Sequence, residues 1–136
     1  MDDPSSNPLM ILVAGPYRSG TNDDPRLIAR NVEAMTATAL ALFRAGHLPV
    51  LGEWFALPLI AQAGSTAIGD AAFDEIFHPV SRRLLRRCDG CLRIGGPSAG
   101  ADEMVALARA AGKPVYHALA EVPAARPAGD PAERSG

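Results

Sequence analysis

The chain is short of cysteine, of aromatic residues and of any surplus of one charge. Its 136 residues include two cysteines, 5% aromatics, and 13 basic against 15 acidic side chains, for a net charge of −2. Two cysteines, Cys88 and Cys91, are too few for a disulfide scaffold. The balanced charge gives no reason to expect nucleic acid as a partner, because duplex binders collect a basic surplus on one face. The cluster Arg82, Arg83, Arg86, Arg87 is the local exception. No run of about 18 apolar residues is present, so no transmembrane helix is readable. The opening residues, Met1-Asp2-Asp3-Pro4-Ser5, are acidic and polar, the opposite of a secretory leader. These absences point to a cytoplasmic protein with no membrane partner.

What is present is a globular core in waiting. Apolar residues make up 48% of the chain, and its length suits one domain. Residues 1–8 read as a disordered leader and residues 121–136, rich in Pro, Ala and Gly, as a disordered tail. The single domain is expected over 9–120. Leu9 to Ala14 is a continuous apolar run, as suits a strand covered on both faces. Asp23-Asp24-Pro25 opens a helix in which Ile28, Val32, Met35, Ala39 and Leu42 share one face, and Gly46 ends it. Leu48 to Leu51 is a short strand, Trp54 to Ala63 a helix troubled by Pro58, and Gly64 to Gly69 a flexible loop. A helix over about 79–88 starts at Pro79, Cys91 to Ile94 is a third strand, Gly100 to Ala111 a helix, and Pro114 to His117 a last strand. Strands alternating with helices predict an α/β, flavodoxin-like or Rossmann-like sandwich. Its four- or five-stranded, mainly parallel sheet carries helices on both faces.

In such sheets ligands lie beyond the carboxyl ends of the strands. That rule selects two loops. Gly15-Pro16-Tyr17-Arg18-Ser19-Gly20-Thr21 has the Gly-x4-Gly skeleton of a P-loop without its Lys and following Ser/Thr, which argues against a nucleoside triphosphatase. Gly15, Tyr17, Arg18 and Ser19 remain as binders of a phosphate or a sugar edge; the plain alternative is a linking turn. The second loop, Gly95 to Glu103, leads into a helix whose amides face the same edge. Ser98 and Gly100 are candidates for holding phosphate or hydroxyl, and Glu103 for nucleophile or base, although acids also favour helix N-termini through the macrodipole alone. Trp54 lies on the ligand edge after the second strand, as a pocket wall or as packing. His78 precedes Pro79, as a cap or a site residue.

Other features point away from chemistry. The Cys88/Cys91 pair ends a helix and enters a strand, whereas a redox pair begins a helix. His47, His78 and His117 are scattered, so no metal site is expected. The four arginines read as the solvated face of an amphipathic helix.

The order Ala-Gly-Pro-Tyr-Arg (14–18), Cys-Asp-Gly-Cys-Leu-Arg-Ile (88–94) and Pro-Ser-Ala-Gly-Ala-Asp-Glu (97–103) resembles the nucleoside 2-deoxyribosyltransferase superfamily. It looks closest to a small branch related to the 2′-deoxynucleoside 5′-phosphate N-hydrolases, over residues 9–119. The resemblance implies cleavage or exchange of an N-glycosidic bond in a nucleoside or nucleoside monophosphate, with no cofactor. It implies Glu103 as catalytic carboxylate, Tyr17 as its positioning partner, Asp89 as an aspartate of the site, and Arg18, Ser98 and Gly100 as substrate binders. The family's glutamate falls at Met104 here and its base-handling aspartate near Ser81. It also implies a homodimer or larger homo-oligomer. The apolar residues between Trp54 and Phe77, more than one thin layer needs, are expected to supply the contacts.

Overall fold

The computed structural model describes residues 7–125. Its elements run β1 (Met10–Ala14), α1 (Pro25–Arg44), β2 (Leu48–Val50), α2 (Gly52–Gln62), α3 (Ala71–Arg87), β3 (Gly90–Arg93), α4 (Ala99–Ala110) and β4 (Val115–Tyr116), closed by a 3-10 turn (Leu119–Glu121). The four strands form one parallel sheet in the order β2-β1-β3-β4. The expected α/β sandwich is therefore what the chain forms, with four strands. No helix among the described residues is long and apolar enough to cross a membrane.

The alternation of β1 decides the layers. Ile11 and Val13 face Met35, Ala39 and Leu42 of α1, while Leu12 and Ala14 face Leu85 of α3 and Met104 and Ala108 of α4. Successive side chains of a strand point to opposite faces, so a fully apolar strand must be covered twice. From β1 the chain moves to one side, to β2, and then back across to β3 and β4. Right-handed crossovers in opposite directions put α1 on one face and α3 with α4 on the other. A third apolar cluster, Ala56, Ile60, Phe73 and Phe77, joins α2 to α3.

Two expectations are corrected here. The helix expected from Pro79 begins eight residues earlier, at Ala71, and Pro79 lies within it. Asp70 is the cap: its side chain accepts from the Phe73 N–H at 3.0 Å and also from Thr66 and Ala67. Those bonds hold the Gly64–Gly69 loop in place and keep the Asp70 carboxyl near 2, well below its ordinary range. Pro79 is tolerated because Glu75, whose carbonyl loses its donor, is exposed to water. Pro58 likewise falls inside α2.

Residues 121–125 of the expected tail are packed on the domain. Val122 packs against the α1-side core, and the Ala125 N–H donates to the Ala45 carbonyl at 2.9 Å. The buried His47 ring accepts from the Leu9 N–H through Nδ1 and faces the Pro123 carbonyl through Nε2. Composition concealed this because the segment pairs singly with its neighbours and forms no regular ladder. The rest of the expected tail (126–136), and residues 1–6 of the expected leader, lie outside the described residues.

Gly46 lets this closure form. Its φ is +99°, and a Cβ there would stand 2.6 Å from the Ala125 Cβ. Gly46→Ala therefore meets backbone strain and a clash together, and the expected loss is about 2 kcal/mol of unfolding free energy. Urea denaturation measures it; an unchanged midpoint would show that Ala125 does not dock there.

Candidate functional site

At the carboxyl ends of β1 and β3, where the chain's direction across the sheet reverses, lies a cavity of about 170 Å³. Open parallel sheets place ligand crevices at this point. Gly15, Tyr17, Arg18 and Ser19 line it from the loop after β1, and Ser98, Gly100 and Met104 from α4 and its cap. The facing wall is built by Gly52 and Glu53 of α2 and by Phe73, Asp74, Phe77, His78 and Ser81 of α3.

The first loop is rigid by its own bonds. The Thr21 hydroxyl donates to the Arg18 carbonyl and accepts from the Asp23 N–H, and Asn22 and Asp23 take left-handed φ of 49° and 58°. The Arg18 guanidinium grips Asp23 through two bonds of 2.9 Å and lies over the Phe73 ring, 5.6 Å from its centre. Tyr17 packs on Phe77 with ring centres 5.0 Å apart, and Phe73 on Phe77 at 4.7 Å. The result is an aromatic wall with a cation at its rim. The Tyr17 hydroxyl is shifted up by burial first and by the charge of Glu53 second.

The second loop interlocks with the first. Gly95, at φ +80°, lets Pro16 approach to where a Cβ would stand only 2.6 Å from its ring. Ser98 caps α4, its hydroxyl accepting from the Ala101 N–H at 3.1 Å. Arg93 braces the loop by donating to the Gly96 carbonyl and pairing with Asp102. A Cβ on Gly100 would meet His78 Cε1 at 3.0 Å, so a larger residue there would press on the imidazole.

Of the expected site residues, the structure gathers Gly15, Tyr17, Arg18, Ser19, Ser98 and Gly100 on one cavity. Three others stand apart. Glu103 is not on the lining; it pairs with Arg82 of α3 at 3.1 Å, on the outside of α4. One residue further on, about 100° around the helix, the buried Met104 faces the cavity. Asp89 accepts from the Met10 N–H at 2.8 Å, at the amino ends of β1 and β3 and so at the opposite edge of the sheet. Trp54 is 42% exposed and turned away from the cavity that its neighbour Glu53 lines.

The acid that the sequence puts on the ligand edge beside Trp54, without giving it a role, is Glu53. It lies in the first turn of α2, which opens two residues after β2, and a Cβ on Gly52 would press on the Ser81 hydroxyl and stand 3.2 Å from its Cβ. The first turn of α2 is thereby seated on α3, and Glu53 is left 8% exposed. Burial pushes its carboxyl up to about 7, offset only in part by its own backbone N–H. No cation contributes to that balance. The available signal was an acid immediately after a buried strand at the ligand edge, read instead for its Trp neighbour.

The cysteines are packing residues. Both are buried and unpaired, and burial pushes the thiols up to about 11 at Cys88 and about 12 at Cys91. Arg83, Arg86 and Arg87 are exposed as expected of a solvated face, while Arg82 is held by Glu103.

No protein-family model matches the chain, and no curated protein matches it.

The buried carboxyl has a measurable consequence. Glu53 releases its proton at about 7 when folded, against an ordinary 4.5 when unfolded. Between these values the folded state holds a proton that the unfolded state has lost, so stability falls as pH rises from about 4.5 to 7 and then levels. The penalty amounts to about 3 kcal/mol. Glu53→Gln is expected to remove that decline and to be the more stable protein at pH 8, as read by thermal melts across pH 5–8. A variant with the same pH profile as the parent would contradict the buried carboxyl.

Proposed function

We propose that this chain takes a nucleoside or nucleoside monophosphate into the cavity and breaks or exchanges its N-glycosidic bond. The observation that carries this reading is the division of one cavity into two chemistries. An aromatic wall (Tyr17, Phe73, Phe77) suits a planar base, and its rim and the facing loop offer Arg18, Ser19 and the capped start of α4 to a sugar or a phosphate. The order of motifs that resembles the nucleoside 2-deoxyribosyltransferase superfamily supports the same reading.

The carboxyl assignment differs from the one that resemblance implies. Glu103 is engaged with Arg82 outside the cavity, which leaves Glu53 and Asp74 as the carboxyls on the lining. In hydrolysis, water adds its oxygen to the anomeric carbon and gives a proton to Asp74. The electrons of the carbon–nitrogen bond pass to the departing base, which takes a proton from Glu53. In exchange, a second base replaces the water. Phosphate anchoring away from the reacting carbon would lower the barrier by binding the transition state in register.

A second reading, a binder without catalysis, is favoured by Met104 and Ser81. Both line the cavity, at the two positions where the resemblance places acids. The proposal also includes a homodimer, for which Trp54, Phe55 and Leu59 are large apolar side chains left exposed on α2. Light scattering is expected to give twice the monomer mass.

Incubation with 2′-deoxynucleosides and their 5′-monophosphates is expected to release free base. Glu53→Gln should lower that release by about 100-fold or more, the scale of a lost general acid. Glu103→Ala should leave it unchanged. Ligands that raise the unfolding temperature yet stay intact would establish the binder instead. Ligands that do neither would overturn both readings.

A further inference from the structure

A neutral carboxyl and a carboxylate recognise different partners. The carboxylate only accepts hydrogen bonds, whereas the neutral form presents an O–H donor beside a C=O acceptor. Glu53 stands on the wall of the cavity with no side-chain partner among the described residues and no cation beside it, next to the aromatic rings that would flank a planar ligand. The titratable and charged groups that share this lining are Tyr17 and Arg18 from the loop after β1 and Asp74 and His78 from α3. The lining residues of α4, Ala99, Gly100, Ala101 and Met104, do not titrate, and neither does Ser98 at its cap. Arg18 is occupied by Asp23, and Asp74 adds no positive charge that could favour ionisation of Glu53.

Resting on the nucleoside reading above, we infer that Glu53 is the base-recognition residue and meets the base in its protonated form. Its O–H donates to a ring nitrogen, and its C=O accepts from the exocyclic amino group beside that nitrogen. The edge it reads is thereby an acceptor next to an N–H donor, as the ring nitrogen and amino group of cytosine or adenine provide. A carboxylate would instead need two adjacent donors, such as the ring N–H and 2-amino group of guanine, and burial disfavours that form. An unmet donor or acceptor in the cavity costs more than a missing contact, so the wrong edge pattern is penalised.

The test uses carbocyclic 2′-deoxycytidine and carbocyclic 2′-deoxyguanosine, in which a methylene replaces the ring oxygen, so that no glycosidic cleavage disturbs the measurement. Calorimetry at pH 6 and pH 8 reads the affinities. The free carboxyl titrates at about 7. The deoxycytidine analogue should therefore bind about tenfold more weakly at pH 8 than at pH 6. Glu53→Gln keeps a donor and an acceptor but does not titrate, so the deoxycytidine profile should become flat.

Equal affinity of the deoxycytidine analogue at both pH values overturns the inference. So does a slope that survives in Glu53→Gln, which would assign the titration to another group. In both cases a nucleoside still binds and the proposed function stands. If neither analogue binds at either pH, as the nucleoside or as its 5′-monophosphate, the nucleoside reading falls and this inference with it.

Discussion

β1 has a neighbouring strand on each side, and both connections must be right-handed. Everything at the site follows from that constraint. The chain leaves β1 toward β2 over one face of the sheet and returns toward β3 over the other, so nothing crosses above the carboxyl ends of β1 and β3. The gap is then narrowed by close approaches rather than filled. Gly95 sits against Pro16, Gly52 against Ser81, and Gly100 against His78. Each contact brings two elements nearer than a side chain would permit, and together they shape a cavity about the size of a small ring system. Glu53 is carried into it by the seat of α2 on α3.

Closure at the other edge of the sheet is equally specific. Asp89 ties the start of β1 to the residue before β3, and His47 joins Leu9 to Pro123. These polar groups answer backbone atoms where strands begin, so their bonds are structural. At the amino edge these side chains answer the backbone of the strands, while at the carboxyl edge Glu53, His78 and Ser81 face the cavity.

Much of this was legible in the residues. The apolar runs at β1 and the 4-3-4-3 spacing in α1 name the buried faces, because burial on both sides of a parallel sheet leaves no room for polar alternation. The ligand edge follows from topology alone, and so do six of the residues that line the cavity. What was hidden has physical reasons. Pro79 reads as a helix start, yet the helix runs through it where Glu75, four residues earlier, is exposed. Glu103 and Met104 differ by one position, and only the packing of α4 on Leu12 and Ala14 decides which faces inward. Asp89 lies next to a strand like the residues of the site, but before it rather than after. Glu53 was invisible as an acid of consequence because its burial comes from Gly52 meeting Ser81, a contact 29 positions apart in the chain.

All of these arguments converge on one group, a carboxyl kept neutral by its surroundings beside an aromatic wall. The most direct measurement is the titration of the Glu53 side-chain carbonyl carbon by ¹³C NMR, assigned through Glu53→Gln, in the unliganded protein. A midpoint of about 7 is the predicted result. A midpoint in the ordinary range of a solvated glutamate, about 4.3, would contradict it.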